Sequence, residues 1–168
     1  MIAKVDAEAP NAKATAQEQG VTSYPTIKFF PRGSTTGESY MGARTEQAFV
    51  DFLNEKTGSR RTVGGGLNDE AGTVNILDAL VEKYTGDMET LGAELKAVVA
   101  GLKDSYAGYY VKVVSKLQEN AEYASKELAR LQKMASKNNV APEKLDDLIS
   151  RSNILRKFVA KKDGKDEL

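Results

Sequence analysis

The chain has 168 residues, with 24 Lys+Arg against 24 Asp+Glu, and it contains neither Cys nor His. Balanced charge gives no electrostatic reason to expect nucleic acid or an anionic membrane surface as a partner. Without Cys or His, the chain cannot perform thiol–disulfide exchange, build Cys/His zinc sites or use Ser–His or Cys–His catalysis. We therefore predict no metal and no cofactor. The apolar fraction of 40% supports a core, but no apolar run is long enough to span a membrane.

The first 58 residues carry a mixed pattern in the order β-α-β-β-α. "MIAKVD" predicts a strand, and the alanine-rich stretch from Asp6 to Gly20 predicts a helix that ends at that glycine. The aromatic run "TIKFF" predicts a buried strand, and "PRGSTTG" followed by "ESYMG" predicts its hairpin partner. Thr45 is expected to cap a last helix. That helix presents an apolar face made of Phe49, Phe52 and Leu53.

Residues 59–72 separate this pattern from the remainder of the chain. They read "SRRTVGGGLNDEAG", in which three consecutive glycines lie among polar residues. Such a segment is unfavourable inside a helix or a strand, so we predict a flexible linker. A phosphate-binding loop is the alternative, but no Lys-Ser/Thr follows the glycines and no strand precedes them.

Residues 73–160 show only helical periodicity and predict an all-α bundle. Thr73 is expected to cap the first helix, and Pro142 suits the first turn of the last one. Between them, a stripe from Tyr110 to Leu131 predicts one helix over 105–137, about 50 Å long at 1.5 Å per residue. A two-chain coiled coil is the competing interpretation of this stripe, although Ala121 and Ala124 weaken the seam.

Four short motifs in the first segment together resemble the second half of a thioredoxin-like domain, as found in protein disulfide isomerases. These motifs are Lys4-Val5-Asp6, Gly20-Val21 before Tyr24-Pro25-Thr26, Phe29-Phe30, and Tyr40-x-Gly42-x-Arg44. The helical part after a Gly-rich linker is similar to the isomerase subfamily with a C-terminal D domain. The resemblance implies an α+β fold: a partial thioredoxin-like domain (1–58), the linker (59–72), the D domain (73–160) and a tail (161–168).

The resemblance implies a peptide-binding role for Tyr24, Pro25 and Thr26. In the family the proline of this motif is cis and lies beside the active site, and the edge at Tyr24 would pair with an extended substrate chain. The alternative from sequence pattern is an ordinary trans turn before a strand. No catalytic residue is expected within this chain.

The chain departs from the family by lacking the Cys-x-x-Cys half of the domain. The strand that would separate "IAKV" from "TIKFF" in the family's sheet is absent, so the first segment is expected not to close a core. We expect Met1 to be an internal methionine of a longer protein.

The last four residues form a retrieval signal for the endoplasmic reticulum, namely Lys165, Asp166, Glu167 and Leu168. The alternative is a chance match at the end of a charged tail. If the signal is real, the full-length parent resides in the lumen of the endoplasmic reticulum and binds the KDEL receptor.

Two functions follow from these expectations. The first is part of a lumenal protein disulfide isomerase, itself without redox activity, acting on unfolded or disulfide-containing secretory proteins. The alternative is a non-enzymatic helical module that binds clients or partners or forms a homo-oligomer. Tyr106, Tyr109 and Tyr110 could form a client-binding patch, although tyrosines of a helical stripe more often pack in a core. Neither function requires a nucleic acid or a membrane.

Overall fold

The computed structural model describes residues 2–85 and 87–163, without the side chains of 160–163. Its chain divides into two compact units, Met1–Phe49 and Val50–Leu168. The secondary structure runs α1 (Lys13–Glu18), β1 (Lys28–Phe29), β2 (Glu38–Ser39), α2 (Glu46–Thr57), α3 (Asn75–Lys83), α4 (Met88–Val99), α5 (Ala107–Glu119), α6 (Tyr123–Ala135) and α7 (Pro142–Asp163). The predicted α+β class, with a small mixed segment before a helical bundle, is confirmed.

The predicted hairpin is present in the first unit. β1 and β2 pair antiparallel, with Lys28 opposite Ser39 and Phe29 opposite Glu38. Gly37, just before β2, packs against the ring of Phe30, where an added Cβ would lie 2.6 Å from the ring and the half-exposed side chain would have to shift. Turn chemistry and an aromatic run were sufficient to predict this element.

The predicted strand over "MIAKVD" is wrong, because residues 2–6 have no regular structure. Ile2 and Val5 are 91% and 67% exposed. A strand is stabilised by backbone hydrogen bonds to a neighbour, and the described residues provide no neighbour for this one. The expectation that the first segment closes no core is confirmed, since none of residues 2–49 is buried.

The helix predicted from Asp6 to Gly20 forms only over α1, but its end was predicted correctly. Gly20 adopts a positive φ of 63°, a conformation that favours glycine. Its amide donates to the carbonyl of Gln17 at 3.0 Å, and the Val21 amide donates to that of Ala16 at 2.9 Å. These two bonds form a Schellman motif, which satisfies carbonyls at the end of the helix.

α2 begins at the predicted cap, but its predicted apolar face is less buried than expected. The Thr45 hydroxyl accepts the Ala48 amide at 3.2 Å, which is the expected cap. The ring of Phe49 lies 4.9 Å from that of Tyr40, measured between centroids. None of the residues of α2 is buried, and Leu53 is 40% exposed. The apolar face is therefore only half covered.

The segment expected to be a flexible linker has a defined conformation. Arg61 and Leu67 form an antiparallel β-bridge across the three glycines. The Thr62 amide donates to the carbonyl of Gly66 at 2.9 Å, and the Asn68 amide to that of Arg60 at 2.9 Å. Backbone hydrogen bonding orders a sequence whose composition alone indicates flexibility.

The core of the molecule lies among α3–α7. Its buried members come from every one of these helices, and they are Leu77, Val81, Leu91, Leu95, Ala107, Tyr110, Val113, Val114, Ala124, Leu131, Leu148, Ile154, Leu155 and Phe158. Most of them recur at helical spacing in the sequence, including Tyr110 and Leu131 at the two ends of the predicted stripe. The Thr73 cap is wrong: α3 begins after Val74, and the Thr73 hydroxyl instead donates to the Glu70 carbonyl at 2.8 Å.

The single helix predicted over 105–137 is also wrong, because it is broken into α5 and α6. Asn120 adopts an extended conformation at the break, with φ −150° and ψ 108°. Its side-chain oxygen accepts the Glu122 amide at 3.0 Å, a local bond that competes with continued helix. The break lets α6 pack against α7 of the same chain. An unbroken coiled-coil seam is therefore not present in the described structure.

Candidate functional site

The turn Tyr24-Pro25-Thr26 belongs to the first unit, and the Tyr24–Pro25 peptide bond is cis. The Thr26 hydroxyl donates to the Ser23 carbonyl at 2.6 Å. A guanidinium nitrogen of Arg44, Nη2, donates to the Pro25 carbonyl at 3.3 Å. Arg44 thus connects the start of α2 with the turn and helps to fix its conformation.

The turn presents an aromatic side chain and an open stretch of backbone. Tyr24 is 60% exposed. No backbone hydrogen bond joins its amide or carbonyl to another described residue. Tyr24 also borders a depression of ≈ 440 Å³, together with Lys13, Gln17 and Val21. This arrangement can accept an extended peptide through main-chain hydrogen bonds and aromatic contact.

The three tyrosines at the start of α5 do not form one patch. Tyr110 is fully buried in the core, whereas Tyr106 and Tyr109 are half-buried and pack against its edge. The Tyr110 hydroxyl accepts the Val74 amide at 3.1 Å and donates to the Asp78 carboxylate. Asp78 in turn pairs with Lys157 of α7 at 3.0 Å. Tyr110 is therefore a structural residue that joins α3, α5 and α7.

The other two tyrosines line a groove between α5 and α7. The groove has a volume of ≈ 400 Å³ and is lined by Ser105, Tyr106, Gly108, Tyr109, Lys112, Asp147 and Arg151. The guanidinium of Arg151 lies 5.4 Å from the centroid of the Tyr109 ring and also pairs with Asp147 at 2.9 Å. A groove lined by aromatic and cationic side chains is suited to binding a side chain of a peptide.

Burial governs the ionisation of these tyrosines. It raises the pKa of Tyr109, and the nearby Tyr123 raises it further. Burial also raises the pKa of Tyr110, and the hydrogen bond to Asp78 adds to this effect. Both hydroxyls therefore stay protonated at physiological pH and cannot act as phenolate nucleophiles or bases.

The described residues offer no cluster suited to metal binding and no apolar helix of membrane-spanning length. No group of three or more His, Cys, Asp or Glu side chains within them is placed to hold a metal ion. No described helix is both long and apolar enough to cross a lipid bilayer. The retrieval residues Lys165 to Leu168 lie outside the described residues.

Sequence reasoning missed the groove between α5 and α7 because it joins residues about forty positions apart. Lys112 is exposed, Asp147 and Arg151 are half-buried, and no local pattern marks any of them. Arg44 was identified only as part of a motif. Its bond to the Pro25 carbonyl depends on how the chain returns to the turn.

Two known families match the chain, one for each segment. Residues 72–158 match the C-terminal domain of endoplasmic reticulum protein ERp29, which covers the helical bundle. Residues 1–55 match the thioredoxin family. The sequence and fold thus define a thioredoxin-like segment joined to an ERp29-type helical domain.

Curated relatives resemble the whole chain. Protein disulfide-isomerase tigA of Aspergillus niger is 63% identical, with 100% of this chain and 46% of the relative covered. Protein disulfide-isomerase erp38 of Neurospora crassa is 50% identical over 99% of this chain and 47% of its own length. Protein disulfide isomerase-like 2-2 of Oryza sativa subsp. japonica is 36% identical over 94% of this chain and 44% of its own length.

The chain belongs to the protein disulfide isomerase family, in the group that combines a thioredoxin-like segment with an ERp29-type C-terminal domain. It spans about half the length of the curated relatives it matches, and it contains no cysteine. The resemblance described from the sequence is confirmed. The thiol chemistry that gives the family its name has no reacting group in these residues.

Proposed function

We propose that this chain supplies substrate binding and retrieval to a thiol–disulfide oxidoreductase and isomerase of the endoplasmic reticulum lumen. Catalytic cysteines would lie outside these residues. The proposed substrates are unfolded or disulfide-containing secretory proteins. Family membership supports the proposal, and the absence of cysteine assigns these residues a role other than electron transfer.

The observation that carries the proposal is the exposed, hydrogen-bonded turn at Tyr24-Pro25-Thr26. Its backbone is anchored by Arg44 and Thr26, while Tyr24 projects 60% of its surface to solvent. A preorganised edge loses little conformational freedom when it pairs with an extended peptide. We infer that a client peptide binds along this edge.

The test is a titration of the chain with a fluorescent unfolded peptide whose cysteines are blocked. Tyr24→Ala should weaken binding about threefold to tenfold, because an exposed aromatic contact contributes roughly 1 kcal/mol. Met41→Ala is the matched control, since Met41 is 91% exposed in the same unit. Equal effects of the two substitutions would contradict a specific role for the turn.

A second candidate is a non-enzymatic binding module formed by the helical unit. The groove beside Tyr106 and Tyr109 favours it, because aromatic and cationic groups line a space of ≈ 400 Å³. Tyr109→Ala should weaken peptide binding while Ile76→Ala, at a position 54% exposed and outside the groove lining, should not. If Tyr109→Ala binds the peptide with unchanged affinity, Tyr109 only packs against the core and does not bind clients.

Residence in the endoplasmic reticulum is proposed from Lys165-Asp166-Glu167-Leu168 and its receptor. The family description supports the compartment. A secreted reporter fused to the chain should be retained in cells and should reach the medium when the four residues are deleted. Retention of both forms would show that another part of the chain determines location.

A homo-oligomer stays a prediction. Light scattering of the full chain over a tenfold concentration range tests it. A mass that rises with concentration supports association, and a constant mass of 18.2 kDa rejects it.

A further inference from the structure

Residues 59–72, here named the strap, lie between α2 and α3 and are attached to α7 mainly through Arg61 and Asn153. A third contact, between Arg156 of α7 and Asp69 at 3.6 Å, is peripheral because the Asp69 side chain is 98% exposed. The outer attachment is Arg61. Its guanidinium forms a bidentate pair with Asp146 of α7, with Nη1–Oδ1 at 2.9 Å and Nη2–Oδ2 at 2.5 Å. The same Nη1 also donates to the Gly65 carbonyl at 3.0 Å. Bidentate pairs between an arginine and a carboxylate are geometrically more specific and stronger than ion pairs with a single hydrogen bond.

The backbone of Arg61 is held from the opposite side by α2. The side-chain amide of Asn54 donates to the Arg61 carbonyl at 2.8 Å and accepts the Arg61 amide at 2.9 Å. The side chain of Arg61 therefore contacts α7 while its main chain contacts α2. Asn54, Arg61 and Asp146 all belong to the unit Val50–Leu168. Arg61 thus links the end of α2 to α7.

The inner attachment is Asn153 of α7, which is only 1% exposed. Its Nδ2 donates to the carbonyl of Asn68 at 2.9 Å and to that of Ala71 at 3.0 Å. Next to it, Gly72 packs so closely on α7 that a Cβ would lie 2.4 Å from the Ser150 Cβ. This end of the strap is part of the core packing.

The two attachments differ in their access to solvent. The side chains of Arg61 and Asp146 are 43% and 29% exposed. Salt screens such an exposed pair, whereas a buried neutral amide bond is almost unaffected. Ionic strength should therefore weaken the outer attachment and leave the inner one in place.

We propose that the strap is a two-stage latch on α7. Opening of the Arg61–Asp146 stage releases residues 59–67 and the end of α2 from α7 while α3–α7 stay folded. The Asn153 stage holds residues 68–72 and opens only when the core unfolds. The latch goes beyond substrate binding, because it makes the attachment of residues 50–57, the end of α2, adjustable by charge.

Hydrogen exchange of individual amides in the full chain tests the latch. The Thr62 and Gly65 amides report the outer stage, since their bonds at 2.9 and 3.0 Å close the glycine turn. Arg61→Ala should raise both exchange rates about threefold to tenfold, in line with the loss of one bidentate surface pair. The Ala71 amide, which bonds to the Asn68 carbonyl at 3.2 Å, should keep its rate.

Arg60→Ala is the matched control. Arg60 is the neighbouring arginine of the strap and pairs only peripherally, with Glu70 at 3.2 Å and side-chain exposures of 45% and 71%. This variant should leave the Thr62 and Gly65 rates within twofold of the parent. The exchanged pair Arg61→Asp with Asp146→Arg should recover part of the protection that either single change removes.

Salt provides a second readout. About 1 M NaCl, where the screening length is about 3 Å, should raise the Thr62 and Gly65 rates of the parent and not those of Arg61→Ala. The latch is overturned if Arg60→Ala and Arg61→Ala act alike, or if the exchanged pair recovers no protection. It is equally overturned if opening of the outer stage raises the exchange of Ala71 or of the α3–α7 core, because the strap would then be a single cooperative part of the fold.

Discussion

Replacing Tyr110 with Phe removes one hydroxyl from a fully buried position and should substantially destabilise the helical unit. The hydroxyl accepts the Val74 amide at 3.1 Å and donates to Asp78. A lost bond to a backbone donor costs about 1 kcal/mol, and a lost bond to a carboxylate costs about 1.5–3 kcal/mol. Asp78 keeps Lys157 at 3.0 Å, so it is not left without a partner. We expect the free energy of unfolding to fall by about 2–4 kcal/mol.

Urea unfolding monitored by circular dichroism measures the change, with the m-value as a check that both states are otherwise unaltered. Tyr109→Phe is the adjacent control. The Tyr109 hydroxyl is buried close to Tyr123, but no hydrogen bond of normal length and angle joins the two side chains. Removing an unsatisfied polar group is neutral or stabilising, so we expect a change of at most about 0.5 kcal/mol in the unfavourable direction. Equal destabilisation by the two variants would refute the assigned role of Tyr110.

Two further substitutions test local features of the same unit. The hydrogen bond from the Thr90 amide, at 2.9 Å, lowers the pKa of Asp87, the cap of α4. Because the folded pKa lies below the ordinary value of about 3.9, the stabilisation is present above that pH and is lost as the pH falls through the folded pKa. Between pH 6 and pH 2, the free energy of unfolding should therefore fall more steeply for the parent than for Asp87→Asn. The variant keeps a capping oxygen but has no charge to lose. Identical pH dependence in the two proteins would refute the linkage. Gly72→Ala should destabilise by about 2–4 kcal/mol, because a positive φ and overpacking each cost about 1–2 kcal/mol. Gly65→Ala is the control, because φ is also positive there (85°) but nothing lies within 4 Å of the added Cβ. In the same urea assay it should lose only the stability that the backbone strain costs. An equal loss in the two variants would show that the contact with Ser150 is unimportant.

The helical half shows how periodicity succeeds and where it fails. Leu77, Val81, Leu91 and Leu95 recur at helical spacing in a segment predicted to be all-α, and all four are fully buried. The stripe through α5 and α6 has the same periodicity but does not reveal the break at Asn120. An Asn side chain that bonds to a backbone amide two residues later ends a helix at little cost, and only packing of α6 on α7 decides that it does so here.

The first segment shows the opposite limitation. The hairpin, the Thr45 cap and the glycine at the end of α1 depend on neighbouring residues, and local sequence predicted them. The strand over residues 2–6 needed a partner strand, so its propensity alone could not form it. Among the site residues, Tyr24, Pro25 and Thr26 followed from a motif, whereas the groove of Lys112, Asp147 and Arg151 did not.

The sequence by itself determined the family, the absence of thiol chemistry and most of the helical faces, because residue identity, motif order and apolar spacing are properties of the linear chain. Tertiary structure alone decided that the glycine-rich strap is attached to α7, that Tyr110 is structural while Tyr109 lines a groove, and that the long stripe folds back on itself. Each of these features depends on contacts between residues far apart in sequence, such as Arg61 with Asp146, whose partners no local pattern specifies.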